Sequence, residues 1–280
     1  MDIVRHMTTL IRPETLPRAS LGDLLRDWRK RRHQSQLALA LQAGISQRHL
    51  SFVESGRSQP SRDMLLHLAE QLEVPLRDRN RLLVSAGFAP VFAERSLEDP
   101  ALAAARSAVE RVLTAQEPYP ALAIDRHWTL LSANRAVAPL LAGAAASLLV
   151  PPVNVLRLSL HPEGLASRIA NLAQWRSYLL QRLARECELT GDDYLVKLLE
   201  ELRDYPVPGS RASQRGSTSS HSDARVFVPF ELETESGVLS FIGTTTVFGT
   251  PVDITVAEIA LECFFPANAE TAAYLRAALP

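Results

Sequence analysis

Two cysteines in 280 residues, Cys187 and Cys263, stand 76 positions apart, too few and too far for a disulfide framework or a metal knuckle. Such usage fits a reducing, cytoplasmic compartment. No apolar run approaches about 18 residues, so no membrane-spanning helix and no membrane partner are expected. Residues 1–19 carry Arg5, Arg12, Pro13, Pro17 and Arg18 without the apolar core of a secretory signal; they are expected to form a flexible arm, with Met7 as a second candidate start. The seven histidines fall at no metal-ligand spacing, and the chain lacks a Walker loop, a Gly-x-Ser-x-Gly elbow and a Cys-x-x-Cys pair. Neither a metal nor a cofactor is expected. An enzyme is disfavoured too, because Asp253 and His161 would have to act without partners.

A net charge of −1 hides an asymmetry. Residues 18–62 hold nine cationic side chains against three acidic ones, +6, so the remainder carries −7. A basic N-terminal module on an acidic partner is the footprint of phosphate binding at one end of the chain. With 46% hydrophobic and 22% charged residues, the length allows two soluble domains with cores of their own.

The most informative stretch is residues 36–55, which reads as a helix-turn-helix. Ser35 can cap a helix over 36–43, with Leu37, Leu39, Ala40 and Ala43 available for its inner side and Ala40 small where a second helix crosses. Gly44 suits a left-handed turn, Ile45 plugs the corner, and Ser46 caps the next helix. Leu50 and Val53, three apart, form its buried ridge. Gln47, Arg48, Ser51 and Phe52 are thereby turned outward near the helix N-terminus. Around this pair, residues 20–33 read as a first helix with Trp28 in the core, Ser61 caps a fourth, and Pro75 and Gly87 bracket a fifth.

With Gln36, Gly44, Ile45, Ser46, Glu54, Gly56 and Pro60 in place, residues 20–87 resemble the lambda-repressor-like helix-turn-helix family, also called the xenobiotic-response-element family. The resemblance implies double-stranded DNA as partner, with Gln36 and Arg57 holding phosphates and Gln47, Arg48 and Ser51 facing base edges. Ser46 and His49 complete the expected DNA-facing set. It also implies a structural ion pair between Arg29 and Glu54. Phe52 departs from the polar residue common at its position, and either meets a thymine methyl or packs.

Residues 88–118 read as a linker followed by a connecting helix over 101–116, stopped by Pro118 and Pro120. Beyond it the period changes. Short runs at 121–124 and 129–131, split by Asp125-Arg126-His127-Trp128, suggest a hairpin, and Asn134 begins a helix. Residues 154–204 are largely helical, with a long helix from Leu165 to Cys187 broken by Gly191. Residues 206–223 are expected to be a mobile loop. Strand patterns follow at 225–233 and 238–248, with a third run within 250–265 and a closing helix over 269–279. The expected fold is an N-terminal all-α bundle of five helices (20–87), and a C-terminal α+β domain (119–280) with an antiparallel sheet of about five strands and helices on one face.

The motifs Asp125-Arg126-His127-Trp128, Ala133-Asn134-Arg135, Leu156 to Pro162, Asn171 to Trp175 and Phe248 to Thr255 are similar to those of MmyB-like bacterial transcription regulators. That resemblance, running to about residue 270, implies a PAS-like ligand-binding domain, gene regulation and a homodimer, with a small apolar ligand for which a non-covalent fatty-acyl type is one candidate. Trp128, Trp175, Phe241 and Phe248 either line a pocket or pack the core. Arg157 and His161 could hold a polar head group, or Arg157 could anchor the following turn. The alternative function keeps DNA binding and makes the C-terminal domain a ligand-free interaction or dimerisation module.

Overall fold

The computed structural model describes residues 20–206 and 227–278. The expected arm (1–19), nearly all of the expected loop (206–223) and the start of the strand expected from Arg225 lie outside the described residues. The chain divides into two compact units, one ending at Val91 and the other beginning at Phe92.

The first unit is the five-helix bundle: α1 (Leu21–Arg31), α2 (Gln36–Gln42), α3 (Gln47–Glu54), α4 (Arg62–Gln71) and α5 (Leu76–Ser85). Four of the five start on a serine whose hydroxyl accepts the N–H three residues on. Ser20 takes Asp23, Ser35 takes Ala38, Ser46 takes His49 and Ser61 takes Met64, at 3.0–3.2 Å. Each such cap stabilises its helix by about 1 kcal/mol. Gly44 turns the chain at φ +65° between α2 and α3. Leu25, Trp28, Leu39, Ala40, Leu50, Val53, Leu65, Leu68 and Leu83 form the core between them.

One inward assignment fails. Leu37 is 52% exposed, because Leu39, Ala40 and Ala43 set the buried stripe of α2 and Leu37 lies about 110° around the helix from its centre.

In the second unit α6 (Ala103–Ala115) follows a single 3-10 turn. Strands β1 (Ala121–Ile124), β2 (Leu130–Ala133), β3 (Phe230–Thr234), β4 (Gly237–Val247) and β5 (Ala260–Pro266) make one sheet in the order β2-β1-β5-β4-β3, antiparallel throughout. Helices α7 (Val155–Leu160), α8 (Leu172–Thr190), α9 (Asp193–Asp204), α10 (Ile254–Ala257) and α11 (Ala269–Ala278) complete it. Side chains alternate along the strands. Ile124, Phe230, Leu232, Leu239 and Phe241 meet α7, α8 and α9 on one face. Ala121, Ala123, Leu261 and Cys263 meet Val109 and Leu113 of α6 on the other. Helices therefore cover both faces and not one, because both parities of β1 and β5 are apolar.

Three local expectations also change. Asn134 opens no helix; only a 3-10 turn, Ala138–Leu141, follows. The Asn134 amide instead donates to the carbonyls of Leu113 and Tyr119 and accepts the N–H of Ala121, pinning the start of β1. The long helix begins at Leu172 and not at Leu165, since Ile169 forms a bridge with Leu232 of β3. The strand run expected within 250–265 starts only at Ala260 and ends at Pro266, because Asp253 caps the short α10 and bonds Arg95 at 2.7 Å.

Candidate functional site

The N-terminal candidate is the start of α3. Leu50 and Val53 hold the helix by its buried side, which leaves Ser46, Gln47 and Arg48 exposed and His49, Ser51 and Phe52 half-buried. The Ser46 hydroxyl is engaged as the cap, accepting the His49 N–H at 3.1 Å. The Phe52 ring is flanked by two guanidinium groups, with Arg48 at 5.3 Å and the exposed Arg57 at 5.9 Å from its centroid. This contact orients both cations on the outward side of α3.

Beneath them sits Glu54, 2% exposed. Arg29 bonds both its oxygens, at 2.6 and 2.9 Å, and the Gln36 amide donates to Oε2 at 2.9 Å. Arg26 lies 3.7 Å from the carboxylate and donates to the Glu54 carbonyl at 2.7 Å. Burial pushes the Glu54 pKa up, but the bonds from Arg29 and Gln36 and the nearby cations outweigh it and hold it below the usual carboxylate range. Gln36 therefore spends its amide on the scaffold, half-buried, with Glu54 as its partner.

The C-terminal candidate is a cavity of about 300 Å³ between the sheet and α7 and α8. Its wall is apolar, formed by Leu122, Leu140, Leu141, Leu158, Leu179 and Phe264 among others, with Trp128 and Trp175. Trp128 is held at φ +64° in the β1–β2 turn, a conformation that costs a bulky residue on the order of 1–3 kcal/mol. Asp125 stabilises the turn by accepting the N–H groups of His127 and Thr129, both at 2.8 Å. The indole N–H then donates to Glu186 at 2.8 Å, while the Arg182 guanidinium lies 4.4 Å over the ring. Trp175 donates to the Ser159 hydroxyl at 3.1 Å.

The other four residues expected around a ligand do not line this cavity. Arg157 is paired with Glu201 at 2.7 and 2.8 Å, which raises its pKa. His161 is half-buried, edge-on to Tyr205 at 5.1 Å, and its Nδ1 accepts the Glu163 N–H. Phe241 is wholly buried against Phe230 and Phe264, and Phe248 packs with the α6 core on the other face of the sheet.

The residues that give the cavity a charged end were not singled out by the motifs: Arg182 and Glu262, with Thr245 beside them. Arg182 bonds Glu262 at 2.7 and 3.2 Å, and Thr245 donates to Glu262 at 3.0 Å. A signal for them existed. Arg182 interrupts the apolar stripe of α8 between Leu179 and Leu183, and Glu262 falls on the core-facing parity of β5 between Ala260 and Phe264. Among the described residues, no three metal-ligating side chains converge and no helix is long and apolar enough to cross a membrane.

Comparison with known proteins agrees with this division. The helix-turn-helix family model matches residues 25–78, covering α2 and α3. The model described as the MmyB-like transcription regulator ligand binding domain matches residues 105–278, which takes in the whole sheet and the cavity. No curated protein matches the chain. A DNA-binding module thus precedes a ligand-binding regulatory one, and with more than half of its length matched by the second model the chain belongs to the MmyB-like transcription regulators.

Proposed function

We propose that the chain is a one-component, sequence-specific regulator whose hold on DNA is biased by a small apolar ligand in its C-terminal domain. The cavity carries this reading: about 300 Å³, apolar on its walls and polar at one end, at the lower edge of the size range of ligand pockets. A fatty-acyl-type molecule fits such a shape. On the DNA side, Arg48 and Gln47 reach base edges in the major groove, Ser51 and His49 flank them, Arg57 holds a phosphate, and Ser46 presents the helix N-terminus. Gln36 acts there through Glu54. Two copies in a homodimer place their recognition helices on the order of 34 Å apart over a roughly palindromic site. The work is done where the chromosome is, in the cytoplasm of a bacterium.

The ligand changes DNA affinity only as far as it binds the two conformations unequally. Native mass spectrometry of protein purified without detergent, followed by anisotropy titration of operator DNA before and after the bound mass is removed, tests this. Retention of a lipid-sized mass and a DNA affinity that shifts on its removal are expected. An empty cavity and an indifferent affinity would favour a ligand-free interaction module instead.

A further inference from the structure

We infer that the ligand of this cavity carries an uncharged polar head, such as a primary alcohol, amide or ester, and not a free carboxylate. The inference rests on the ligand-binding reading above and narrows it. The cation at the polar end of the cavity is already committed. Arg182 donates Nη2 to Glu262 Oε1 at 2.7 Å and Nη1 to Oε2 at 3.2 Å, and its Nε stands 3.5 Å from Glu186 Oε1. Thr245 adds a third bond to Glu262 at 3.0 Å. One cation therefore serves two carboxyl groups, and Glu262 is 7% exposed.

A ligand carboxylate delivered to this end would compete with Glu262 for Arg182. One of two anions would then sit in an apolar cavity without its cation, which buried charge pairs do not tolerate. A neutral head meets no such conflict. Of the five guanidinium N–H groups of Arg182, two bond Glu262 and the Nε group faces Glu186, so two have no acceptor among the described residues. A hydroxyl or carbonyl oxygen can take one of them while Glu262 stays in place. The proton of an alcohol or amide can in turn go to the spare lone pair on Glu262, which lines the cavity and takes three bonds of the about four that a carboxylate accepts. At roughly 30 Å³ per water-sized group, the cavity holds on the order of ten such groups, so a ten-carbon chain is the fitting probe.

The test is isothermal titration of the full-length chain with 1-decanol and with decanoate at neutral pH, repeated on Glu262→Gln and Glu186→Gln. Decanol is expected to bind the unmodified protein at least about tenfold more tightly than decanoate. An ionised head is harder to dehydrate anywhere, so the deciding quantity is the change in that ratio. Glu262→Gln removes one anion while keeping the shape, and decanoate is expected to gain on decanol by about tenfold. Glu186→Gln moves the ratio the same way and serves if the first variant fails to fold. Decanoate binding as tightly as decanol to the unmodified protein overturns the inference, as does a ratio unmoved by both variants. Binding of neither probe overturns the cavity reading itself, and this inference with it.

Discussion

In the proposed function, Arg48 is the side chain on which base recognition turns. It is exposed, near the first turn of α3, and steadied by Phe52. Arg48→Ala should weaken specific DNA binding by about 1–3 kcal/mol, roughly tenfold to a hundredfold, and nonspecific binding far less; equal losses in gel shifts on both DNAs would remove it from the base-reading set. Glu54 works from below. Its folded pKa is depressed from the ordinary 4.5, so its stabilisation is fully present above that value and drains away as pH falls through the folded pKa. Acid unfolding should therefore be less steep below about pH 4.5 in Glu54→Gln. Glu54→Ala, which strands the half-buried Arg29, should cost about 3–5 kcal/mol in urea unfolding. The Arg29–Glu54 pair was legible in the sequence because family spacing announces it. The link from Gln36 to Glu54 was not, since nothing local says that an amide 18 positions upstream reaches the same carboxylate. Arg182 and Glu262 went unread for a related reason: each is conspicuous only against the face it shares, and that face exists once α8 lies on β5.

The helices of the first unit carry their own punctuation, serine at four starts and glycine at positive φ after α2, α3 and α5. Their bounds could be read from local chemistry alone. Gly22 adds a constraint that the pattern does not show: a Cβ there would stand 2.7 Å from the carbonyl carbon of Glu54, so α1 crosses α3 at backbone contact. Gly22→Ala gains about 1 kcal/mol of helix propensity but forces the crossing apart at a cost of about 1–3 kcal/mol. A net fall in melting temperature is expected, and a rise would mean that the crossing yields easily. In the second unit the local signals mislead where a distant partner intervenes. Ile169 continues an apolar helical stripe in sequence yet pairs with Leu232 in the sheet, and Asn134 looks like a helix cap yet spends its amide on three backbone groups. Strand order is likewise a long-range property: β1 lies between β2 and β5, so the beginning and end of the domain are joined at its centre.

At the scale of the whole molecule the chain separates reading DNA from sensing a ligand, and each function should fail alone. Gly243 lines the cavity, and a Cβ there meets nothing nearer than Phe264 at 3.9 Å. Gly243→Leu should fill part of the space, abolish ligand binding in titrations, and leave the DNA affinity of the ligand-free state unchanged; loss of both together would tie the cavity to folding and not to sensing. The charge asymmetry fits the same division, with +6 over residues 18–62 and −7 over the rest. If the exposed start of α3 reads a specific duplex, selection from a random DNA pool by the full-length chain, run beside Arg48→Ala, will show it. An enriched motif of two half-sites about one helical turn apart, lost in the variant, is the expected result. A pool that remains unenriched with the unmodified chain, with or without ligand, would contradict it.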